Sequence, residues 1–245
     1  MKEIQAFGIR IHPLTRPEFL SIIHEGIKSG KQIIQIGVNS ASVNELSRDS
    51  KLREAINMAD LVNIDGISVV WALRLLGYRI PERVATPDLA DDLLKLAERE
   101  GYSVFLLGAK ETTILSCRNR LLEIYPELTV AGFRNGYFQP SEEPGIVDYI
   151  DALKPDILLI GMPSPQKEMF FYRYGHLLTP KYILGVGGYF DIMAGLVRRA
   201  PEWIQNAGME WFYRFSQEPK RLWRRYLLGN IRFFWLTLKE KIIRK

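Results

Sequence analysis

Four short apolar runs constrain this chain most: residues 32–38, 103–107, 157–161 and 182–186. Each is rich in Ile, Leu and Val, and each meets Gly or Asn at its end, at Asn39, Gly108, Gly161 and Gly187. Stretches with helical periodicity lie between them. Runs this short that are apolar on both faces suit strands covered by helices on both sides. A fifth run, residues 59–64, stops at Asp65-Gly66, and a helical pattern restarts through Val69, Val70, Ala72, Leu73 and Leu76. The expected fold class is α/β, a Rossmann-like, mostly parallel sheet with helices on both faces.

Local signals refine the element list. Residues 4–11 read as one opening strand. Thr15-Arg16-Pro17-Glu18 has the form of a capping box that starts a helix, and Gly30 stops it. Residues 41–58 read as one helix. Thr86 is the expected N-cap of the next, with Pro87 at its first position and Gly101 beyond its end. Ser164 and Pro165 suggest the same N-cap and N1 arrangement after the run at 157–161.

In parallel α/β sheets ligands bind beyond the carboxyl ends of the strands. Asp65 would there present a carboxylate at the mouth of a cleft, with Gly66 allowing close approach to the backbone. The same residues allow Asp65 simply to cap the helix that follows it. Asn39 occupies an equivalent strand end.

Several chemistries are disfavoured. No Gly-x-Gly-x-x-Gly follows the first strand, and no Walker-type Gly-Lys-Ser/Thr occurs. His12, His24 and His176 lack metal-ligand spacing, so no metal site is expected. The single Cys117 excludes an intrachain disulfide and suits a reducing cytoplasm. The N-terminus carries no apolar core of a secretory signal, and no run approaches the roughly 18 apolar residues of a membrane span.

The net charge of +5 is unevenly distributed. Residues 196–245 hold 12 Lys/Arg against 4 Asp/Glu, whereas the remainder holds 21 against 24. The chain accordingly divides into an α/β domain, residues 1–195, and a basic, aromatic, helical appendage, residues 196–245. In the appendage Leu222, Trp223, Tyr226 and Leu227 can share one helical face flanked by Arg221, Arg224, Arg225 and Arg232. That pattern suits a helix lying in an anionic membrane surface. The alternative is a helix packed on the body with arginine stems covering apolar surface, and one helix can do both. Nucleic acid is a poorer partner, because the charge follows an apolar stripe and no recognition motif is present.

A set of segments in fixed order resembles the WecG/TagA/CpsF family of bacterial glycosyltransferases. They are Ala59-Asp60-Leu61 through Asp65-Gly66-Ile67, Glu82-Arg83-Val84, Phe105-Leu106-Leu107-Gly108, Asn135-Gly136-Tyr137-Phe138 and Pro165-Gln166-Lys167-Glu168. Gly185-Val186-Gly187-Gly188, Phe190-Asp191, Arg199-Ala200-Pro201 and Glu218-Pro219 through Tyr226 complete the set. The resemblance implies an inverting, metal-independent enzyme without cofactor that moves a sugar from a UDP-sugar onto a polyprenyl-diphosphate-linked sugar. The product would serve a cell-surface polysaccharide or teichoic acid, and the enzyme would sit peripherally on the inner, cytoplasmic face of the plasma membrane. It further implies that Asp65 is the catalytic base, that Asn39, Arg83 and Gln166 bind substrate, and that Gly108, Tyr137, Gly187, Asp191, Arg214, Arg221 and Arg224 bind the nucleotide. Two positions depart from the family pattern. Gly37 stands where the family commonly has Thr, and Thr86 stands where it often has Gly. The donor sugar stays open among N-acetylmannosamine, its uronic acid, glucuronic acid and glucose. A homo-oligomer is compatible with an apolar appendage, and a membrane-docked nucleotide-sugar-binding scaffold without turnover is the non-enzymatic alternative.

Overall fold

The structure, a computed structural model, describes residues 2–244; the side chains of Asn206, Arg221 and Arg225 lie outside the described residues. The opening segment is a hairpin rather than one strand: β1 (Ile4–Ala6) pairs antiparallel with β2 (Ile9–Ile11). Phe7 and Gly8, with φ of 56° and 76°, reverse the chain between them, a twist that suits a two-residue hairpin turn. Helix α1 (Arg16–Ser29) has the full capping box of Thr15 and Glu18 and ends on Gly30 at φ 72°.

The first core strand, β3 (Ile33–Val38), leads into α2 (Ser40–Leu46) and α3 (Ser50–Met58). The single helix expected over 41–58 is thus two. Asp49 breaks it, because its carboxylate accepts the backbone N–H groups of Lys51 and Leu52 and starts a new helix. Next come β4 (Leu61–Ile64), α4 (Ile67–Leu75) and α5 (Thr86–Glu100). Ala85, not Thr86, holds the N-cap position of α5.

The second half alternates regularly through β5 (Val104–Gly108), α6 (Glu111–Ile124), β6 (Val130–Arg134), α7 (Glu143–Leu153), β7 (Ile157–Gly161), α8 (Gln166–Tyr174), β8 (Tyr182–Gly185) and α9 (Tyr189–Met193). Pro165, after a cis Ser164–Pro165 bond, occupies the N-cap position of α8, so Ser164 does not cap it.

Among the described residues six strands form one parallel sheet in the order β4-β3-β8-β7-β5-β6. Alternate strand residues feed two cores. Ile36, Val38, Leu107, Leu158 and Ile160 pack with α2, α3, α7 and α8. Ile33, Val104, Leu106, Leu159 and Leu184 pack with α1, α5, α6 and α9. This two-sided burial is why the strands read as unbroken apolar runs.

The C-terminal segment is helical: α10 (Glu202–Asn206), α11 (Glu210–Gln217), α12 (Pro219–Trp223), a π-type stretch Arg224–Leu228, and α13 (Gly229–Ile243). It packs on the body. Phe233 is buried with its ring 5.7 Å from Phe7. Asn44 of α2 donates from Nδ2 to the Gly229 carbonyl at 2.7 Å, and Arg232 donates to the Ser47 hydroxyl at 2.9 Å. The shared face expected of Leu222, Trp223, Tyr226 and Leu227 does not form: Leu222 is buried, while Trp223 and Leu227 are exposed. A π-type turn adds a residue per turn and so rotates any 3.6-residue stripe out of register. Trp223, Leu227, Leu228, Ile231, Phe234 and Trp235 remain exposed beside the packed face. No helix among the described residues is long and apolar enough to cross a membrane.

Candidate active site

Because the six strands are parallel, their carboxyl ends share one edge, and there a cleft of about 1760 Å³ opens between the sheet and the C-terminal segment. Asn39 and Asp65, at the ends of β3 and β4, line it together. Asp65 does not cap the helix that follows it; Gly66 holds that position with no side-chain bond. Instead its Oδ1 accepts the backbone N–H of Thr86 at 2.8 Å, so the carboxylate caps α5, twenty-one residues away. Its Oδ2 faces only the Asn39 side-chain amide, at a long 3.5 Å. Asn39 is itself held by the N–H groups of Ala41 and Ser42, which donate to its Oδ1 at 3.0 and 3.2 Å. One carboxylate oxygen is anchored by a backbone amide, and the other is held by the long Asn39 contact.

Arg83 links this loop to the C-terminal segment. Its Nε donates to the Asp65 carbonyl at 2.7 Å, and its Nη2 donates to Glu210 Oε2 of α11 at 2.5 Å. Arg199 approaches the other oxygen of Glu210 at 3.4 Å and also pairs with Asp88 of α5. These partners keep the Arg199 guanidinium above its ordinary pKa against the opposing effect of burial. Arg83 therefore meets the cleft as part of an ion-pair chain rather than as a free cation.

Of the other expected residues, Gln166, Tyr137, Gly187, Asp191, Arg214 and Arg224 all line the cleft. Tyr137 is largely exposed at the rim. Gly187 has φ of 54°, which favours glycine there. Arg214 lies against the Gly188 backbone, where a Cβ would stand 3.0 Å from its guanidinium, and its Nε is buried without a hydrogen-bond partner. Arg224 stacks over Trp223 at 5.2 Å. Gly108 is not among the lining residues. It packs against the next strand instead, since a Cβ there would meet the Gly161 carbonyl oxygen at 2.4 Å. The Arg221 side chain lies outside the described residues.

Sequence reasoning missed the support beneath the site. Tyr182 of β8 donates to Gln35 of β3 at 2.8 Å, Gln35 donates to Asn63 of β4 at 3.0 Å, and Asn63 donates to the Val84 carbonyl at 2.8 Å. All three side chains are fully buried. This chain of bonds crosses three strands and fixes the loop whose Thr86 amide holds Asp65. The available signal was a polar residue inside each of two otherwise apolar strands. Lys167 and Glu168 form a buried ion pair, with the Lys167 stem against Gly185 at the cleft floor. Among the described residues no group of three or more His, Cys, Asp or Glu is placed to hold a metal ion.

A model of the glycosyl transferase WecG/TagA/CpsF family matches residues 4–245, body and C-terminal segment alike. The chain belongs to this family. It is 31% identical over 194 residues to an N-acetylglucosaminyldiphosphoundecaprenol N-acetyl-beta-D-mannosaminyltransferase of Bacillus subtilis, covering 79% of this chain and 74% of that protein. It is 33% identical over 183 residues to a protein of the same description from Bacillus spizizenii, covering 75% and 70%. A family model that spans residues 4–245 takes in Arg214 and Arg224 as well as Asp65. Both walls of the cleft therefore fall within the family match.

Proposed function

We propose that this chain is an inverting, metal-independent glycosyltransferase that moves an N-acetylmannosamine-type sugar from its UDP conjugate onto a polyprenyl-diphosphate-linked N-acetylglucosamine. The observation that carries the reading is the Asp65 carboxylate, tied down through Oδ1 by the Thr86 amide and held at Oδ2 by the long Asn39 contact, in a cleft that arginines enter from the C-terminal segment. The names of the two Bacillus relatives support the sugar and the acceptor.

The chemistry follows from the placement. An acceptor hydroxyl at Asp65 Oδ2 passes its proton to that oxygen as it attacks the anomeric carbon. The bond from that carbon to the UDP oxygen breaks on the opposite face, so the configuration inverts. Negative charge then grows on the departing diphosphate, and Arg214 and Arg224 supply matching guanidinium groups. Asn39 orients the carboxylate, and Gln166 and Tyr137 line the space left for the sugars and the base. The basic segment, with Trp223, Leu227 and Ile231 exposed on it, supports peripheral attachment to an anionic inner membrane surface. It then serves as both docking element and cleft wall.

The test is the product of a reaction with UDP-N-acetylmannosamine and a lipid-diphosphate-N-acetylglucosamine acceptor, in excess chelator. The expected result is one new glycosidic linkage of inverted anomeric configuration by NMR, formed at an undiminished rate. Retention of configuration, or loss of the reaction with chelator, contradicts the proposal.

A further inference from the structure

The cleft has an apolar arm that the transfer chemistry does not use. Ile67, Trp71 and Leu75 recur every fourth residue along α4, which places them on one helix face. All three line the cleft, and Trp71 and Leu75 are 53% and 45% exposed. The stripe begins two residues after Asp65 and extends about 12 Å along the helix at 1.5 Å per residue. Gly208, in the turn between α10 and α11, lies against it: a Cβ there would stand 3.2 Å from Ile67 and 3.4 Å from Trp71. Leu228 and Phe234 of the C-terminal segment line the same cleft and are each more than half exposed. Arg232 lines it too, with Nε buried and no hydrogen-bond partner.

Exposed apolar surface of this kind, lining the same cleft as a polar site, marks a place where something apolar binds. Its occupant is set by continuity and charge. A ligand whose reacting hydroxyl lies at Asp65, whose anionic group meets Arg232, and whose remainder is hydrocarbon matches the groups that line the cleft. We infer that the α4 stripe Ile67–Trp71–Leu75, together with Leu228 and Phe234, holds the first isoprene units of the lipid acceptor. The inference rests on the transferase reading above and adds to it a selectivity for acceptor chain length.

Two acceptors decide it, N-acetylglucosamine diphosphate esterified with a methyl group and with a farnesyl group, the second kept below its critical micelle concentration. The farnesyl acceptor should have a KM about tenfold lower, since burying only a few methylene groups yields that much. Trp71→Ala and Phe234→Ala should each bring the ratio of the two KM values towards one. Both side chains are exposed, so the fold does not depend on them. A wild-type ratio near one overturns the inference while leaving the transferase reading intact. A ratio that persists in both variants also overturns it. In that case lost vesicle binding would assign the patch to the bilayer, and lost self-association in sedimentation would assign it to a second copy of the chain. Transfer to neither acceptor removes the transferase reading itself.

Discussion

A Cβ on Gly37 would stand 2.2 Å from the Thr86 hydroxyl, 3.2 Å from the Asn63 amide and 3.3 Å from Asp65 Cβ. Positions 37 and 86 therefore touch each other, beside the Asp65 side chain. The Thr86 hydroxyl fills the volume that a side chain at 37 would occupy, and its backbone N–H holds Asp65. Gly37→Thr alone should overpack this spot and cost about 2 kcal/mol, read as a lowered urea midpoint, and should slow transfer by disturbing the Thr86–Asp65 bond. Adding Thr86→Gly should recover much of the stability, because it removes the atom that clashes. A Gly37→Thr protein as stable as wild type would show that the two sites are independent. Asp65 and Asn39 were legible as strand-end polar groups, because the apolar runs before them are unambiguous. That Asp65 caps a helix twenty-one residues on was not, because only the folded sheet brings Thr86 to it.

At the scale of elements, the strands of the parallel sheet and most helices were legible, since runs such as 157–161 have no reading other than a buried strand in an alternating chain. The failures have local causes. Two residues of positive φ, Phe7 and Gly8, turn an expected strand into a hairpin. The Asp49 carboxylate restarts a helix whose pattern looked continuous. The π-type stretch at Arg224–Leu228 spoils a face drawn with ordinary helical period. Glu210 carried no motif signal, yet α11 uses it to join Arg83 and Arg199. Glu210→Gln leaves two half-buried guanidinium groups short of their counter-charge, and should cost about 2 kcal/mol. Hydrogen exchange should rise in α11 and in the Arg83 loop together. Exchange unchanged in the Arg83 loop would mean that the segment and that loop are not coupled.

For the whole molecule, one cleft edge carries Asp65 and the other carries Arg214 and Arg224, and they come from opposite ends of the chain. The parallel sheet supplies Asn39, Asp65, Gln166 and Gly187; the C-terminal segment supplies Arg214 and Arg224. That segment packs Phe233 into the core yet exposes Phe234 and Trp235, which fits an element that serves the body and an apolar partner at once. The charge asymmetry in the sequence set the C-terminal segment apart from the body, whereas the run of side-chain hydrogen bonds from Tyr182 to Val84 emerged only from the fold. The most direct measurement is UDP release from UDP-N-acetylmannosamine with the lipid-linked acceptor, comparing wild type with Asp65→Asn at saturating substrates. Asn keeps the shape and the bond to the Thr86 amide but cannot take a proton. With Asp65 as the base, kcat should fall by at least about a hundredfold, the scale of a lost general base, while the KM values stay within a few-fold. Turnover that survives Asp65→Asn undiminished would contradict the assignment of Asp65 as the base.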